Sequence, residues 1–216
     1  MNGKLNVITV HTGPLAVNTY VAWNEGSNEC VVVDPAACSP VLAETEKLGL
    51  TVKAILLTHG HFDHILGVAG LKERTGARVY ISPADAPCLK DGKQSLASMV
   101  GLKQEPVVPD VKLRDGGVFT EAGIEFTVLF TPGHTKGSVC FIVESDRAIF
   151  SGDTLFHMSY GRTDLRGGSS NDLFDSIVFK LFALKGDYRV LPGHEYETTL
   201  QFERENNPCV TMGICE

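Results

Sequence analysis

The chain has 216 residues, 43% of them hydrophobic and 21% charged. This is ordinary globular composition with length for one sizeable core, so a single folded domain over residues 1–216 is expected. Its 19 basic and 26 acidic residues leave a net charge of −7, with no Lys/Arg cluster that could track phosphates, which argues against a nucleic-acid partner. No run of about 18 apolar residues occurs, and the opening MNGKLNVITVHTG lacks the long apolar stretch of a secretory signal. A cytoplasmic protein without a membrane partner is expected.

In chain order, strands are predicted at 5–10 (LNVITV), 19–23 (TYVAW) and 30–34 (CVVVD). Ser39 and Pro40 then read as cap and first turn of a helix through VLAETEKL, with Gly49 as its stop. A strand at 53–58 (KAILLT) leads into a helix within FDHILGVAGLKERTG and a strand at 77–82 (ARVYIS). The segment from about 90 to 107 carries little periodicity and reads as an exposed excursion. Strands follow at 125–130 (EFTVLF), 138–143 (SVCFIV) and 147–151 (RAIFS), with ESDR at 144–147 as a hairpin turn. Asn171 opens a helix through DLFDSIVFKLFALKG, where Leu173, Ile177, Leu181 and Leu184 recur at helical spacing and should pack on a sheet. A short strand at YRVL comes last. Cys30, Cys38, Cys88, Cys140, Cys209 and Cys215 form no C-x-x-C pair and sit mostly beside apolar residues, so they are expected to be reduced and to pack as small hydrophobes.

Polar clusters follow the apolar strands in a repeated way. AILL runs into THGHFDH, TVLF into TPGH, AIF into SGD, RVL into PGH and CVVV into DP. Ligands in open sheets bind beyond the carboxyl ends of strands, so these ends could share one rim, and five of the seven histidines lie in these clusters. Residues two apart in an extended segment point to one side, so His59 and His61 can grip one ion together. Asp63 and His64, at the start of a helix, would be swung towards a second position. Imidazoles and carboxylates without a thiolate suit zinc, iron or manganese. Two neighbouring ions need a shared acidic ligand, for which Asp153 is the natural candidate.

The segments THGHFDH, TPGHTKGS, SGDTLF and LPGHE, in that order between residues 58 and 194, resemble the T-H-x-H-x-D-H, P-G-H, G-D and final G-H motifs of the metallo-β-lactamase superfamily. The resemblance implies an α+β fold, an αββα sandwich of two packed mixed sheets flanked by helices. It places His59, His61 and His134 on one metal, Asp63, His64 and His194 on the other, and Asp153 between them. Asp34 matches an acid that steadies the ligands, with Thr58 beside it. SGDTLFHMSYGRTDL followed by GHEYETTLQFERENNP is similar to the short glyoxalase II-like (hydroxyacylglutathione hydrolase-like) branch. Full glyoxalase II carries a further C-terminal helical domain with cationic contacts to glutathione. The present sequence runs about twenty residues past His194, so the expected domain lacks that part.

What the branch implies is a binuclear hydrolase, with zinc the first expectation and iron or manganese open. It would cleave a small acyl thioester or ester by a hydroxide bridging the two ions, with Asp63 and Asp153 closest to the chemistry. Asp153 at the position of the Cys ligand of many β-lactamases argues against antibiotic hydrolysis as the main activity. No G-x-S-x-G elbow, P-loop or dinucleotide fingerprint is present. In the resembling hydrolases a basic residue matching Arg162 contacts the carboxylate end of glutathione, while an ion pair with Asp164 is the bland alternative. His11 and His157 lie outside metal-ligand spacing and read as structural, although His157, four residues after Asp153, is placed to line the cavity and to touch substrate. Asp34 reads equally well as a turn former before Pro35. Three rival readings remain: a persulfide dioxygenase with one iron on His59, His134 and Asp153, a lactonase, and a zinc-stabilised protein that binds a partner without catalysis.

Overall fold

The computed structural model describes residues 3–212. Strands β1 (Leu5–Thr12), β2 (Val17–Asn24), β3 (Glu29–Val33), β4 (Thr51–Leu56), β5 (Arg78–Ile81) and β6 (Val111–Lys112) form one sheet in sequence order. The second sheet takes β7 (Val118–Glu121), β8 (Ile124–Phe130), β9 (Val139–Val143), β10 (Ala148–Gly152), β13 (Arg189–Pro192) and β14 (Thr198–Thr199), ordered β14-β13-β10-β9-β8-β7. β11 (Leu155–Phe156) and β12 (Ser159–Tyr160) form a separate two-stranded ribbon, with Leu155 packed in the outer core of the second sheet.

Alternation along the strands builds the layers. Val31 and Val33 of β3 meet Phe126, Phe141 and Phe150 between the sheets, whereas Cys30 and Val32 face outward under helices α1 (Cys38–Lys47) and α3 (Val68–Thr75). Ile142, Ile149 and Val190 likewise cover the outer face of the second sheet against α4 (Ser170–Asp175) and α5 (Leu200–Asn206). A strand buried on both faces must be apolar throughout, which is why CVVV reads as a continuous run. The layers are those of the αββα sandwich that the motifs imply.

The strands that carry polar clusters run in a common direction within each sheet. β3 and β4 are parallel, and β10 is parallel to β13. β8 and β10 are each antiparallel to β9, so they too run alike. The carboxyl ends of β3, β4, β8, β10 and β13 therefore gather at one rim.

Several elements differ from expectation. The helix predicted after THGH breaks into α2 (Phe62–Ile65) and α3, because Gly67 approaches the turn after β3 so closely that a Cβ would lie 2.6 Å from the Pro35 carbonyl oxygen. The cap of α4 is the Ser169 side chain, which accepts from the Asp172 amide, two residues before Asn171. That helix continues as a π-helical turn over Ser176–Leu181 that keeps Leu173, Ile177 and Leu181 buried and Leu184 partly so. The edge strand β7, the short strands β6, β11, β12 and β14, and helices α5 and α6 (Cys209–Met212) carry too little periodicity to be read. Cys30, Cys38, Cys88, Cys140 and Cys209 are free, and Cys215 lies outside the described residues. Among the described residues no helix is long and apolar enough to cross a membrane.

Candidate metal centre

At the rim, His59 and His61 lie in the segment after β4, His61 in extended backbone immediately preceding α2. Asp63 and His64 occupy the first turn of α2, His134 lies between β8 and β9, Asp153 follows β10, and His194 follows β13. Three sets of donors each converge within 4.8 Å: His59, His61 and His134; Asp63, His64 and His194; and Asp34, His59 and His64. The first two match the two metal positions implied by the motifs. The third arises because Asp34 sits behind the histidines.

Hydrogen bonds aim each ring. Thr58 gives its amide to Asp34 Oδ1 at 2.8 Å and its hydroxyl to Asp34 Oδ2 at 2.5 Å. With that hydroxyl proton committed, Nδ1 of His59, 3.1 Å from Thr58 Oγ1, is the donor, and Nε2 is left as a bare lone pair facing the centre. His64 Nδ1 donates to Asp34 Oδ2 at 3.0 Å, and His134 Nδ1 to the Arg162 carbonyl at 2.8 Å. The opposite nitrogens of both rings then face inward, as ligand imidazoles must. His61 Nδ1 and His134 Nε2 close to 2.8 Å, and His64 Nε2 and His194 Nε2 to 3.3 Å.

Asp153 stands between the sets. Its Oδ2 is 3.5 Å from His134 Nε2 and 3.6 Å from His194 Nε2, and its Oδ1 is 3.4 Å from His64 Nε2. Asp63 Oδ2 lies 3.4 Å from His194 Nε2. His59 Nε2 and Asp153 Oδ1 are buried without a hydrogen-bond partner. An unpaired buried polar atom costs about 1–3 kcal/mol, and two of them aimed into one nest of imidazoles and carboxylates fit a cation. The donor set of nitrogen and oxygen atoms suits zinc, iron or manganese.

The electrostatics divide the cluster. Burial and four neighbouring imidazoles push His59 far below the ordinary histidine range, and burial with the charge of His134 brings His61 down to about 3. Burial also opposes charge on His64, but Asp153 and Asp34, with Asp63 adding to them, outweigh it and raise that ring to about 10. Burial acts against ionisation of Asp63, yet the hydrogen bond from His194 and the charge of His64 hold it at about 2. His194 is raised: burial lowers it, and the bond to Asp63 and the charge of Asp153 more than compensate.

A chamber of about 560 Å³ opens over the cluster, lined by His61, Asp63, His134, Asp153 and His194 and by side chains from four loops. Arg162 reaches its edge, but its Nε and Nη2 each lie 2.7 Å from the Asp164 carboxylate, so the ion-pair alternative is the one seen. His157 requires a correction. It does not line the chamber. The turn between β11 and β12 places Met158 at φ +55° and turns His157 to the side opposite Phe156. The His157 ring stacks on Phe202 with centroids 5.1 Å apart, and Nδ1 faces Glu203 Oε1 at 3.5 Å. His11 is exposed on β1.

Two contributions went unread in the sequence. Asp85 is buried and accepts from the Gly60 amide at 2.8 Å and the Thr135 hydroxyl at 2.7 Å, pinning the loops that carry His59, His61 and His134. Burial raises its pKa despite those bonds. Nothing in SPADAP announces this role. The other is a chamber wall from the segment around Leu96, Met99 and Val100, whose i, i+3, i+4 spacing in LASMVG was the available signal.

Comparison with known proteins agrees with this architecture. The chain is 40% identical over 200 residues to an uncharacterised protein of Aquifex aeolicus, covering 92% of this chain and 94% of that one. It is 30% identical over 206 residues to the hydroxyacylglutathione hydrolase GloC of Haemophilus influenzae, covering 94% and 97%. Among solved structures, the BLEG-1 B3 metallo-beta-lactamase superposes with a TM-score of 0.90 at 34% identity, covering 95% of this chain and 100% of that one. TTHA1623 in a di-iron-bound form gives 0.83 at 38%, covering 93% and 98%. ETHE1 from Myxococcus xanthus gives 0.78 at 30%, covering 94% and 83%. Residues 12–194, from the end of β1 to the last histidine of the cluster, match the metallo-beta-lactamase superfamily, and the chain belongs to it.

Proposed function

We propose that this protein is a binuclear metal-dependent hydrolase that cleaves a small acyl thioester, or a related ester. The observation that carries the proposal is the position of Asp153. One carboxylate lies within 3.6 Å of histidines from both donor sets and keeps a buried oxygen without a hydrogen bond. Similarity to the hydroxyacylglutathione hydrolase GloC supports the thioester class, and similarity to a protein crystallised with two irons supports two cations. Zinc is the proposed metal, with iron and manganese as alternatives of the same donor chemistry.

When bound, the cations supply the acidity that activates a water near neutral pH and the charge that polarises the acyl carbonyl. His59, His61 and His134 would hold one cation, Asp63, His64 and His194 the other, and Asp153 both. Asp63 would accept the hydrogen bond that orients the attacking water. Asp34 and Thr58 fix the tilt of His64 and His59. Asp85 holds the two loops at their spacing. No side-chain nucleophile is required.

The test is elemental analysis of protein purified without added metal, beside a screen of acyl thioesters, esters and lactones with an oxygen electrode in line. Close to two ions per chain with hydrolysis and no oxygen uptake supports the proposal. One iron per chain, unchanged by excess zinc and coupled to oxygen uptake with a persulfide, would replace it with the dioxygenase reading. Two ions without turnover of any substrate would leave a metal-stabilised binding protein.

A further inference from the structure

The chamber above the metal centre has a polar floor and apolar walls. Phe62, Leu96, Met99, Val100, Phe156 and Leu165 surround the space in front of the cluster. The wall is built into the fold. Phe62, Leu96 and Ala97 form a buried cluster with Leu66 and Leu165 packed on it, and the Phe62 amide donates to the Ser95 carbonyl at 2.9 Å. Leu96 and Gly101 bracket a short 3₁₀ turn, Ala97–Val100, with φ of +71° and +73°, and the Leu102 amide closes it on Ala97 O at 3.0 Å. This geometry turns Met99 and Val100 outward at the chamber mouth, where they are 73% and 55% exposed, with Leu15 on the rim at 56%. Large apolar side chains held in water around a polar floor mark a site for an apolar ligand.

Charge points the same way. Outside the metal cluster, the charged side chains lining the chamber are Arg162 and Glu195. The Arg162 fork is engaged by Asp164, and Glu195 is an exposed acidic side chain of the lining. The cations Lys136 and Arg166 line a separate cavity of about 200 Å³ on the other side of His61. With Asp63 and Asp153 given over to the metals, a carboxylate remote from the acyl group meets only the Asp164-paired Arg162 and the acidic Glu195, whereas an alkyl or aryl group meets the apolar side chains of the chamber wall.

From this we infer that the chamber seats the apolar group of a neutral alkyl or aryl thioester and disfavours multiply anionic peptide thioesters such as those of glutathione. The inference rests on the hydrolase reading above and narrows its substrate class. Met99 and Val100 set the preference by covering the alkyl chain.

The test uses the metal-loaded full chain with N-acetylcysteamine thioesters of acetate, butyrate, hexanoate and octanoate, beside a hydroxyacylglutathione. kcat/KM should rise about threefold to fourfold per buried methylene until the chamber is filled, and the octanoyl thioester should exceed the glutathione thioester. In the double variant Met99→Asp/Val100→Asp, at exposed positions and with circular dichroism as the control for folding, the octanoyl-to-acetyl ratio should fall at least about tenfold, since the covered methylenes return to water. Calorimetry should show octanoate binding more tightly than acetate, again only with Met99 and Val100 in place. A flat chain-length series, or preference for the glutathione thioester, overturns the inference and leaves the hydrolase intact. If no thioester is cleaved, the hydrolase reading fails instead, and equal affinity for octanoate and acetate then overturns the inference separately.

Discussion

Oδ2 of Asp34 lies 3.0 Å from Nδ1 of His64, and both side chains are sealed from solvent. The contact fixes which nitrogen of His64 faces the centre. Asp34 itself sits at φ +50°, a left-handed conformation that Asp and Asn tolerate better than other side chains with a Cβ. Asp34→Asn should therefore keep the turn after β3 while weakening the aim of His64. Loss of such a supporting contact costs about 10-fold to 100-fold in metal affinity, read by competition against a chelator. Unchanged affinity would mean that packing alone orients the ring.

Asp153 and Asp63 should respond differently to truncation. Asp153 approaches histidines of both sets, whereas Asp63 pairs with His64 and His194. Asp153→Ala should lose metal from both positions, and Asp63→Ala mainly from one. Elemental analysis of the two variants decides this: equal depletion would remove Asp153 from the bridging position.

The rim was legible because its physics is local. An apolar run that must be buried on both faces ends, and His or Asp follows within a few residues, five times over. Spacing then suggested that His59 and His61 could grip one ion together, and their ring nitrogens do converge with that of His134. What resisted reading depends on partners distant in sequence. Asp85 acts through Gly60 and Thr135, 25 and 50 residues away. The break at Gly67 is set by the backbone after β3. His157 was placed by its distance from Asp153, but the two-residue turn that points it at Phe202 reverses the side on which it lies. The stretch around Leu96 read as an excursion because four residues of 3₁₀ turn give too short a pattern to see.

Arg162 contributes to the centre through its backbone, since its carbonyl accepts from His134 Nδ1 at 2.8 Å. Its side chain is exposed and held by Asp164. Arg162→Ala keeps the carbonyl, so metal content should be unchanged, and KM for anionic and neutral thioesters should move together by less than about twofold, as expected for an exposed ion pair. A tenfold rise in KM confined to anionic substrates would show that the fork leaves Asp164 to bind them.

Gly193 offers a way to disturb the bridging carboxylate without touching it. A Cβ there would collide with Asp153 Oδ1 and lie 2.7 Å from His64 Cε1. The backbone cannot retreat easily, because the Gly193 amide donates to Gly152 O and its carbonyl accepts from the Asn18 amide, both at 2.8 Å. Gly193→Ala should displace the Asp153 side chain, deplete metal at both positions and leave secondary structure intact. Full occupancy in this variant would mean that the loop after β13 yields instead.

The two metal positions should part company as pH changes. In the metal-free protein, burial leaves His59 and His61 lowered, the latter to about 3, so near neutral pH both rings are already unprotonated and release nothing on metal binding. His64, raised to about 10 by its three carboxylate neighbours against the effect of burial, and His194, also raised, hold protons that a cation must displace. Each displaced proton makes affinity change about tenfold per pH unit below the ring's pKa. Lowering the pH should therefore strip the ion at Asp63, His64 and His194 first, while the ion on His59 and His61 stays. The sign reverses for stability without metal. His64 is raised from its ordinary 6.5 to about 10, so its contribution to the metal-free fold is complete below 6.5 and is lost as pH rises towards 10. Over that range Tm of the metal-free protein should fall while Tm of the loaded protein holds, because the cation then replaces the proton between the carboxylates. Metal content after dialysis at a series of pH values, with thermal melts of both forms, checks the argument. Simultaneous loss of both ions at one pH, with a metal-free Tm that does not fall above neutrality, would show that His64 does not carry that proton.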